Sequence, residues 1–488
     1  MMSSLRIRRL STHEYTHHLV KVPFAHDVTR DTSSILTPIY TPCERANSGT
    51  LLREGGPMLE LEQPAHLRAA VSSLSGLLFG FDTTLIACAL PSIGEAFGIG
   101  SFSLGSVVTL GLVGAALGSL AGGAAADRVG REHVLFLCDA LFCSGSLLMA
   151  LAPSLSWLLL GRLVVGMAVG AGACIVPVYL AELFRNELDD RGRHVGSNVV
   201  YITGGQFLAY LVGIALYPRW RIVLASGCIP AVIQALLLRY IHASPSGATE
   251  ARQDLPAAPS PLHAESVSLS EIAKSQAIKT GCLLQALQQA SGINAVMYFA
   301  PTLLVSQADK AGLTDNTRAV LVASLLPVII NVAGSWLSLR LVDRIGRRPL
   351  LLGSLAGTIV TLFLLSLAFA FAADIGVALV FLLCLFVACY SVGLGSVPWT
   401  WTSEVMPSGC RATANSITTS ANWLSNVVVA AVATVFIDRP AISFALFAIV
   451  SAAGASLLAN ESVFPETRGV EIGVRLFATR QQSELNSE

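Results

Sequence analysis

The sequence predicts an all-α membrane protein: twelve transmembrane helices in two pseudo-symmetric six-helix bundles. Three observations predict it. The 488-residue chain is 53% hydrophobic and only 13% charged, whereas about a quarter of a soluble domain is charged. Its apolar residues gather into twelve runs long enough to cross a hydrocarbon core of about 30 Å. Two short charged strings recur at matching places in the two halves.

The elements follow in order. Residues 1–68 are polar, with scattered Pro, Ser and Thr, and read as a cytosolic N-terminal tail. The opening "MMSSLRIRRLSTHEY" has no apolar segment after its basic residues, so no cleaved signal is expected. His13, His17 and His18 could form a metal tract, but a solvated tail is the simpler reading. A window of about 19 residues places spans at 69–91, 103–126, 133–152, 157–183, 194–216 and 221–241, and again at 277–304, 318–341, 349–372, 376–403, 412–436 and 440–463. The Pro/Ala/Ser-rich stretch 242–276 lies between the sixes and reads as a cytosolic linker. The expected domains are therefore a bundle over 69–241, a bundle over 277–464, and a short cytosolic tail over 465–488.

Charge sets the orientation. With the N-terminus inside, inner segments hold 25 of the 31 Lys and Arg, outer loops hold five, and Arg162 is left within a span. That bias puts both termini in the cytosol. The zero net charge argues against a nucleic-acid partner. Seven of the ten cysteines (Cys88, Cys138, Cys143, Cys174, Cys282, Cys384 and Cys389) sit in apolar runs, with no CxxC and no Cys/His cluster. Neither a disulfide framework nor a metal site is expected. No GxxxxGK[ST] string occurs, so ATP hydrolysis is not the energy source.

"GGAAADRVGRE" follows span two and "SLRLVDRIGRR" follows span eight; "PVYLAELF" follows span four and "PWTWTSEVMP" span ten. Six-span repeats related by an axis along the membrane normal are a transporter architecture. The repeated groups are the carboxylates of Asp127, Glu182, Asp343 and Glu404 and the guanidiniums of Arg128, Arg131, Arg344 and Arg347, joined by Arg411 before span eleven. At cytosolic helix ends they can form an ion-pair network that latches an inner gate. Gly166, Gly170 and Gly172 have small-residue spacing and read as close helix packing.

"LLFGFDTTLIACALP" places Asp82 inside span one, where an ionised Asp costs about 2.5–3.5 kcal/mol on insertion scales. Asp82 is about 20 Å up span one, and Arg162 about 8 Å down span four from the outer face, so their depths agree. Either the two pair, or the acid takes a proton and Arg162 finds other acceptors; switching between these is proton coupling. The alternative is a permanent structural pair. Gln206, Gln288, Gln289, Asn331 and Asn422 share a depth of about 17–18 Å on four spans. They are interhelical glue or a site. An amide donates and accepts as a hydroxyl does, which suits a neutral polyol, with Tyr298, Trp399 and Trp423 available to stack on its ring.

With these residues in hand, the chain resembles the major facilitator superfamily, in its sugar porter family, over residues 69–475. The supporting strings are "GRLVVGMAVGAG", "QQASGINAVMYFAP", "DRIGRRP", "VPWTWTSE" and "PETRG". "ITGGQFLAYL", "WRIVLASGCIPAVIQ" and "SANW" are most similar to proton/myo-inositol symporters. The resemblance implies the major facilitator fold and substrate contacts at Gln206, Gln288, Gln289, Asn294, Asn331, Trp399 and Asn422. It implies proton coupling at Asp82, which uniporters of the family lack. The implied activity is import of a neutral polyol or sugar with a proton, first of all myo-inositol, by a monomer in the bilayer of the plasma membrane, with no enzymatic step and no cofactor. A proton-coupled hexose symporter is the alternative; a non-transporting sugar sensor or a specialised-metabolite exporter are further ones. Departures are Val199 where the family often has Gln, a signature after span six reduced to Ser244-Pro245, a longer segment from Glu182 to Arg191-Gly192, and Glu132 in place of a basic residue.

Overall fold

The computed structural model describes residues 65–187, 190–243, 275–297, 325–371, 376–406, 410–435 and 439–470. The tail up to residue 64 with its three histidines, most of the linker, Tyr298, the outer ends of spans seven and eight, and the C-terminal residues after Val470 lie outside the described residues.

The helices are α1 (Ala65–Phe97), α2 (Ser101–Val129), α3 (Arg131–Ala150), α4 (Leu155–Leu183), α5 (Arg191–Leu216), α6 (Trp220–Ala225), α7 (Cys228–Ala243), α8 (Gln276–Ala290), α9 (Leu325–Ile345), α10 (Arg347–Phe371), α11 (Gly376–Val392), α12 (Val397–Val405), α13 (Arg411–Val435) and α14 (Pro440–Leu458). Spans six and ten are each built from two helices, α6 with α7 and α11 with α12. Among the described residues, ten elements are long and apolar enough to cross a membrane. The other two of the expected twelve are α8 and α13. The first has 15 residues and stops at Ser291-Gly292, where Gly292 has φ +83°. The second spans 25 residues but is rich in Asn, Ser and Thr because much of it faces protein rather than lipid. Outward-facing Ile229, Leu236, Phe363, Phe381 and Ile449 are all more than half exposed, which suits a hydrocarbon surround.

The packing repeats. In the first half α1 lies on α5, α2 on α4, and α3 on both α4 and α7; in the second half α8 lies on α13, α9 on α11, and α10 on both α11 and α14. The halves then meet along two equivalent seams, α2 against α13 and α5 against α9. At each turn of the repeated DRxGR string the chain passes through a positive φ, +94° at Gly130 and +101° at Gly346, which only glycine adopts without strain.

Close approach explains the small residues of α4. A Cβ on Gly170 would lie 1.9 Å from the Ala115 carbonyl oxygen, and one on Gly166 2.1 Å from that of Gly111. These positions let α2 and α4 touch through their backbones, so dispersion contacts hold the pair where no hydrophobic effect separates helix from lipid. Gly170→Val should therefore cost about 1–3 kcal/mol or more through overpacking. The expected result is a large fall in monodisperse protein and melting temperature in detergent. Gly204→Ala, where a Cβ meets nothing within 4 Å, should melt like the parent protein; equal behaviour of the two variants would refute the backbone-contact account.

Candidate functional site

Asp82 and Arg162 are brought together. Asp82 is 5% exposed and Arg162 4%, so neither charge can rely on water. Arg162 Nη1 donates to both carboxylate oxygens of Asp82, at 2.8 and 3.0 Å. Its Nε donates to the carbonyl of Val107 at 3.3 Å. The guanidinium lies against Gly111, where a Cβ would meet Nη2 at 2.5 Å. One arginine of α4 thus ties α1 to α2.

The amides fall into two groups. Across the α5–α9 seam, Asn331 Nδ2 donates to Gln206 Oε1 at 3.0 Å. On the other side, α8, α13 and the turn after Gly292 form a cluster. Gln289 Nε2 donates to Asn422 Oδ1 at 2.9 Å, and Asn294 Nδ2 to Gln289 Oε1 at 2.7 Å. Asn422 Nδ2 reaches the side-chain oxygens of Gln285 and Gln288, both at 2.8 Å. Gln288 Nε2 donates to the carbonyls of Leu394 and Gly395 at 3.0 Å, bracing the break between α11 and α12. Trp399 is buried among core residues of the first half. Trp423 is buried edge-on to Phe79, with ring centroids 5.0 Å apart. Unspent capacity remains inside this cluster: Trp423 Nε1, Gln285 Nε2 and both amide atoms of Asn426 are buried without a partner.

The charged end of the bundle carries two copies of one network. In the first, Arg131 makes a two-pronged pair with Glu182 at 3.0 and 3.1 Å and meets Asp127 at 3.0 Å. In the second, Arg347 pairs with Glu404 at 2.6 and 3.2 Å and with Asp343 at 2.8 Å. Each copy is crossed by the opposite half. Arg411 of α13 reaches Glu182 at 3.5 Å, and Thr413 donates its backbone N–H and hydroxyl to Asp127 at 2.8 and 2.7 Å. Arg191 of α5 reaches Glu404 at 3.2 Å, and the Arg193 N–H donates to Asp343 at 2.7 Å.

Arg128 and Arg344 do not join. Both are exposed, and among the described residues no carboxylate pairs with them. Each sits one residue past the aspartate, about 100° around the helix, and so points away from the seam. Sequence reasoning missed Arg191, which is fully buried, and Glu466, whose carboxylate accepts the N–H groups of Arg347 and Arg348 at 2.9 Å. Arg191 had a signal. It opens α5 as Arg411 opens α13, so the repeat that paired Glu182 with Glu404 also pairs these arginines. Gln285 and Asn426 were missed as well; each lies three or four residues from an amide that was found, on the same helix face.

Residues 68–258 and 247–472 match the model of a family described as "Sugar (and other) transporter". The chain belongs to this family. Among curated members of the sugar transporter family, "Probable inositol transporter 2" of Arabidopsis thaliana is 28% identical, over 84% of this chain and 91% of its own length. The "Proton myo-inositol cotransporter" of Homo sapiens is 28% identical, over 84% of this chain and 81% of its own length. The fold is similar to that of the proton:xylose symporter XylE bound to 6-bromo-6-deoxy-D-glucose, with a TM-score of 0.70, 25% identity, and 84% and 97% of the two chains covered. A partially occluded inward-open form of the E. coli xylose transporter XylE gives 0.65, again at 25% identity, over 83% and 98% of the chains. The fold is thus the major facilitator fold, and this sugar transporter family member is a multi-pass membrane protein.

Because both seams are crossed at the charged end, that end is closed here. Arg191→Ala and Arg411→Ala should each open it. With Ser416→Cys placed in the α2–α13 seam, in a background lacking other reactive cysteines, labelling by a water-soluble maleimide should quicken about tenfold or more, since roughly 1.4 kcal/mol suffices for tenfold. Unchanged labelling in both variants would show that these arginines do not hold the seam.

Proposed function

We propose that the protein imports a neutral polyol, first of all myo-inositol, together with a proton, across the plasma membrane, with both termini in the cytosol. It is read as a carrier rather than an enzyme, as its matched relatives are carriers. The observation that carries the reading is the placement of α1. Asp82 stands on it, and within one turn Gly80 packs so closely on α5 that a Cβ there would lie 3.0 Å from the Gln206 backbone nitrogen. One residue earlier, Phe79 contacts Trp423. The helix bearing the titratable acid is the helix that touches both groups of candidate substrate contacts.

The chemistry follows from that placement. A proton arriving at Asp82 neutralises the carboxylate and removes its attraction for Arg162. Arg162 keeps its bond to the Val107 carbonyl, so it stays with α2 while α1 is released. Movement of α1 then shifts Gln206 and Trp423. Gln206, Gln288, Gln289, Asn294, Asn331 and Asn422 exchange their mutual hydrogen bonds for those of the polyol, and the partnerless atoms of Trp423, Gln285 and Asn426 bond further hydroxyls. Trp399 and Tyr298 are assigned to the ring faces. The two networks at the charged end serve as the inner gate. A proton-coupled hexose carrier is the second reading, favoured by the similarity to a symporter structure with a bound glucose derivative.

Asp82→Asn keeps the shape but cannot exchange a proton. Counterflow of labelled substrate should survive while uphill accumulation and its dependence on external acidity disappear. A well-expressed variant that still concentrates substrate with the parental pH profile would remove Asp82 from the mechanism.

Gln289→Ala leaves substrate hydroxyls without a partner in the bound state, at about 1–3 kcal/mol, so substrate affinity should fall roughly 5- to 150-fold. Uptake of labelled myo-inositol and of glucose, with and without an uncoupler, in cells lacking their own carriers decides between the two substrates. Saturable, uncoupler-sensitive uptake of glucose alone would replace the inositol assignment.

A further inference from the structure

A second carboxylate lies inside the first half. Asp139 of α3 is 2% exposed, and neither of its oxygens has a hydrogen-bond partner. Its height is fixed by its neighbours. Glu132, two turns earlier on α3, is paired with Arg68 of α1 at 3.0 Å and accepts the hydroxyl of Tyr179 of α4. Two turns along each of those helices from that knot, about 10 Å, stand Asp139, Ser75 and Gly172. Ser75 lies 3.3 Å from where a Gly172 Cβ would be, and Gln234 of α7 donates to the Ser75 hydroxyl at 2.8 Å. Asp139, Ser75 and Gln234 therefore form a polar layer at one height, on three of the four helices that meet there. Two further turns along α1 lead to Asp82, so the layer stands between the Asp82–Arg162 pair and the charged end.

No cation among the described residues serves this layer. The helices packed on α3 are α1, α2, α4, α6 and α7. On them Arg162 is spent on Asp82, Arg68 on Glu132, and Arg221 on the carbonyls of Ala150 and Ala152. Arg128 and Arg239 are exposed, as are His66, Glu95 and Tyr240. Asp127 and Glu182 are held by Arg131, itself on α3; Cys88, Cys174 and Cys228, with Cys138 and Cys143 on α3, are free thiols. The layer's acceptors go unmet, for neither oxygen of Asp139 has a donor. Gln234 Oε1, an obligate acceptor, is buried without one. A carboxylate offers none, whereas a carboxylic acid offers an O–H.

We propose that Asp139 is a second proton-binding site, occupied while the charged end is closed and emptied when it opens. The step is an exchange: the O–H bond of the acid breaks, the proton passes to water admitted from the charged end, and a carboxylate remains. Its place in transport rests on the proton-coupled reading above; the binding and release of the proton do not.

The test is infrared spectroscopy of the purified protein in lipid. The parent protein and Asp82→Asn should show the carbonyl stretch of a buried carboxylic acid; Asp139→Asn should lose it, and Asp139→Glu should restore it at a shifted frequency. In Arg191→Ala, with the charged end loosened, the band should titrate over a pH range in which it stays constant in the parent. A band unchanged by Asp139→Asn overturns the proposal. If that variant does not fold, an unshifted band in Asp139→Glu does so, and a band that fails to titrate in the opened protein refutes release. In oriented vesicles, Asp139→Asn should lose the effect on counterflow of pH at the charged end while keeping that of the opposite side. Absence of transport would undo the carrier reading but leave the infrared result standing.

Discussion

A charge placed inside a membrane bundle must be matched where it stands, and that constraint organises this protein. Transferring an ion out of water costs several kcal/mol even after relaxation, and a partner offsets this only with good geometry and further hydrogen bonds. Arg347, fully buried, meets the condition by reaching Glu404, Asp343 and the Val342 carbonyl at once. The aspartate of each network also accepts a backbone N–H from the opposite half, Asp127 that of Thr413 at the start of α13 and Asp343 that of Arg193 in the first turn of α5. Those are helix N-termini, whose dipoles favour a carboxylate. Neither copy of the network is complete within one half, so matching the charges requires closing the seams.

The repeat multiplies this effect. Both seams use the same parts, so opening one end of the bundle breaks two equivalent sets of contacts together. Packing at the seam is close: Gly192 is so near the second network that a Cβ would lie 2.4 Å from Arg347 Nη2. Interfaces of this kind switch between discrete packings rather than bending. In the proposed transport cycle the free energy of closure is set against substrate binding at the amides of the same helices.

Much of this was legible in the sequence, for identifiable reasons. Span positions followed from apolar length, because backbone satisfaction in lipid permits little besides helices. The Asp82–Arg162 contact followed from counting 1.5 Å per residue along two antiparallel helices. The charged ends followed from a string that occurs twice. What escaped had no such rule. Across the seams Asp127 and Asp343 accept backbone N–H groups, which every residue but proline carries. Glu132 read as a bare departure, yet its match is Arg68, from a stretch taken as tail; the helix in fact starts at Ala65. The breaks in spans six and ten were hidden because hydropathy does not sense helix geometry. The amides were found by depth, but depth does not say that they bond to one another in two separate groups.

Those two groups reveal an asymmetry beneath the repeat. The buried Asp82 and its arginine belong to the first half. The polar groups that the second half buries at its centre, Asn331, Gln285, Gln288, Gln289 and Asn422, are neutral amides. The scaffold is duplicated while its chemistry is divided. Among the described residues one hydrogen bond between side-chain amides crosses the division, from Asn331 to Gln206. Gln206 sits on α5, whose backbone touches α1 beside Asp82. A change of charge at Asp82 therefore has a short mechanical route to the amides: α1 to α5, then Gln206 to Asn331. Because α5 also carries Arg191 into the second network, the same helix that packs beside the acid crosses one of the seams.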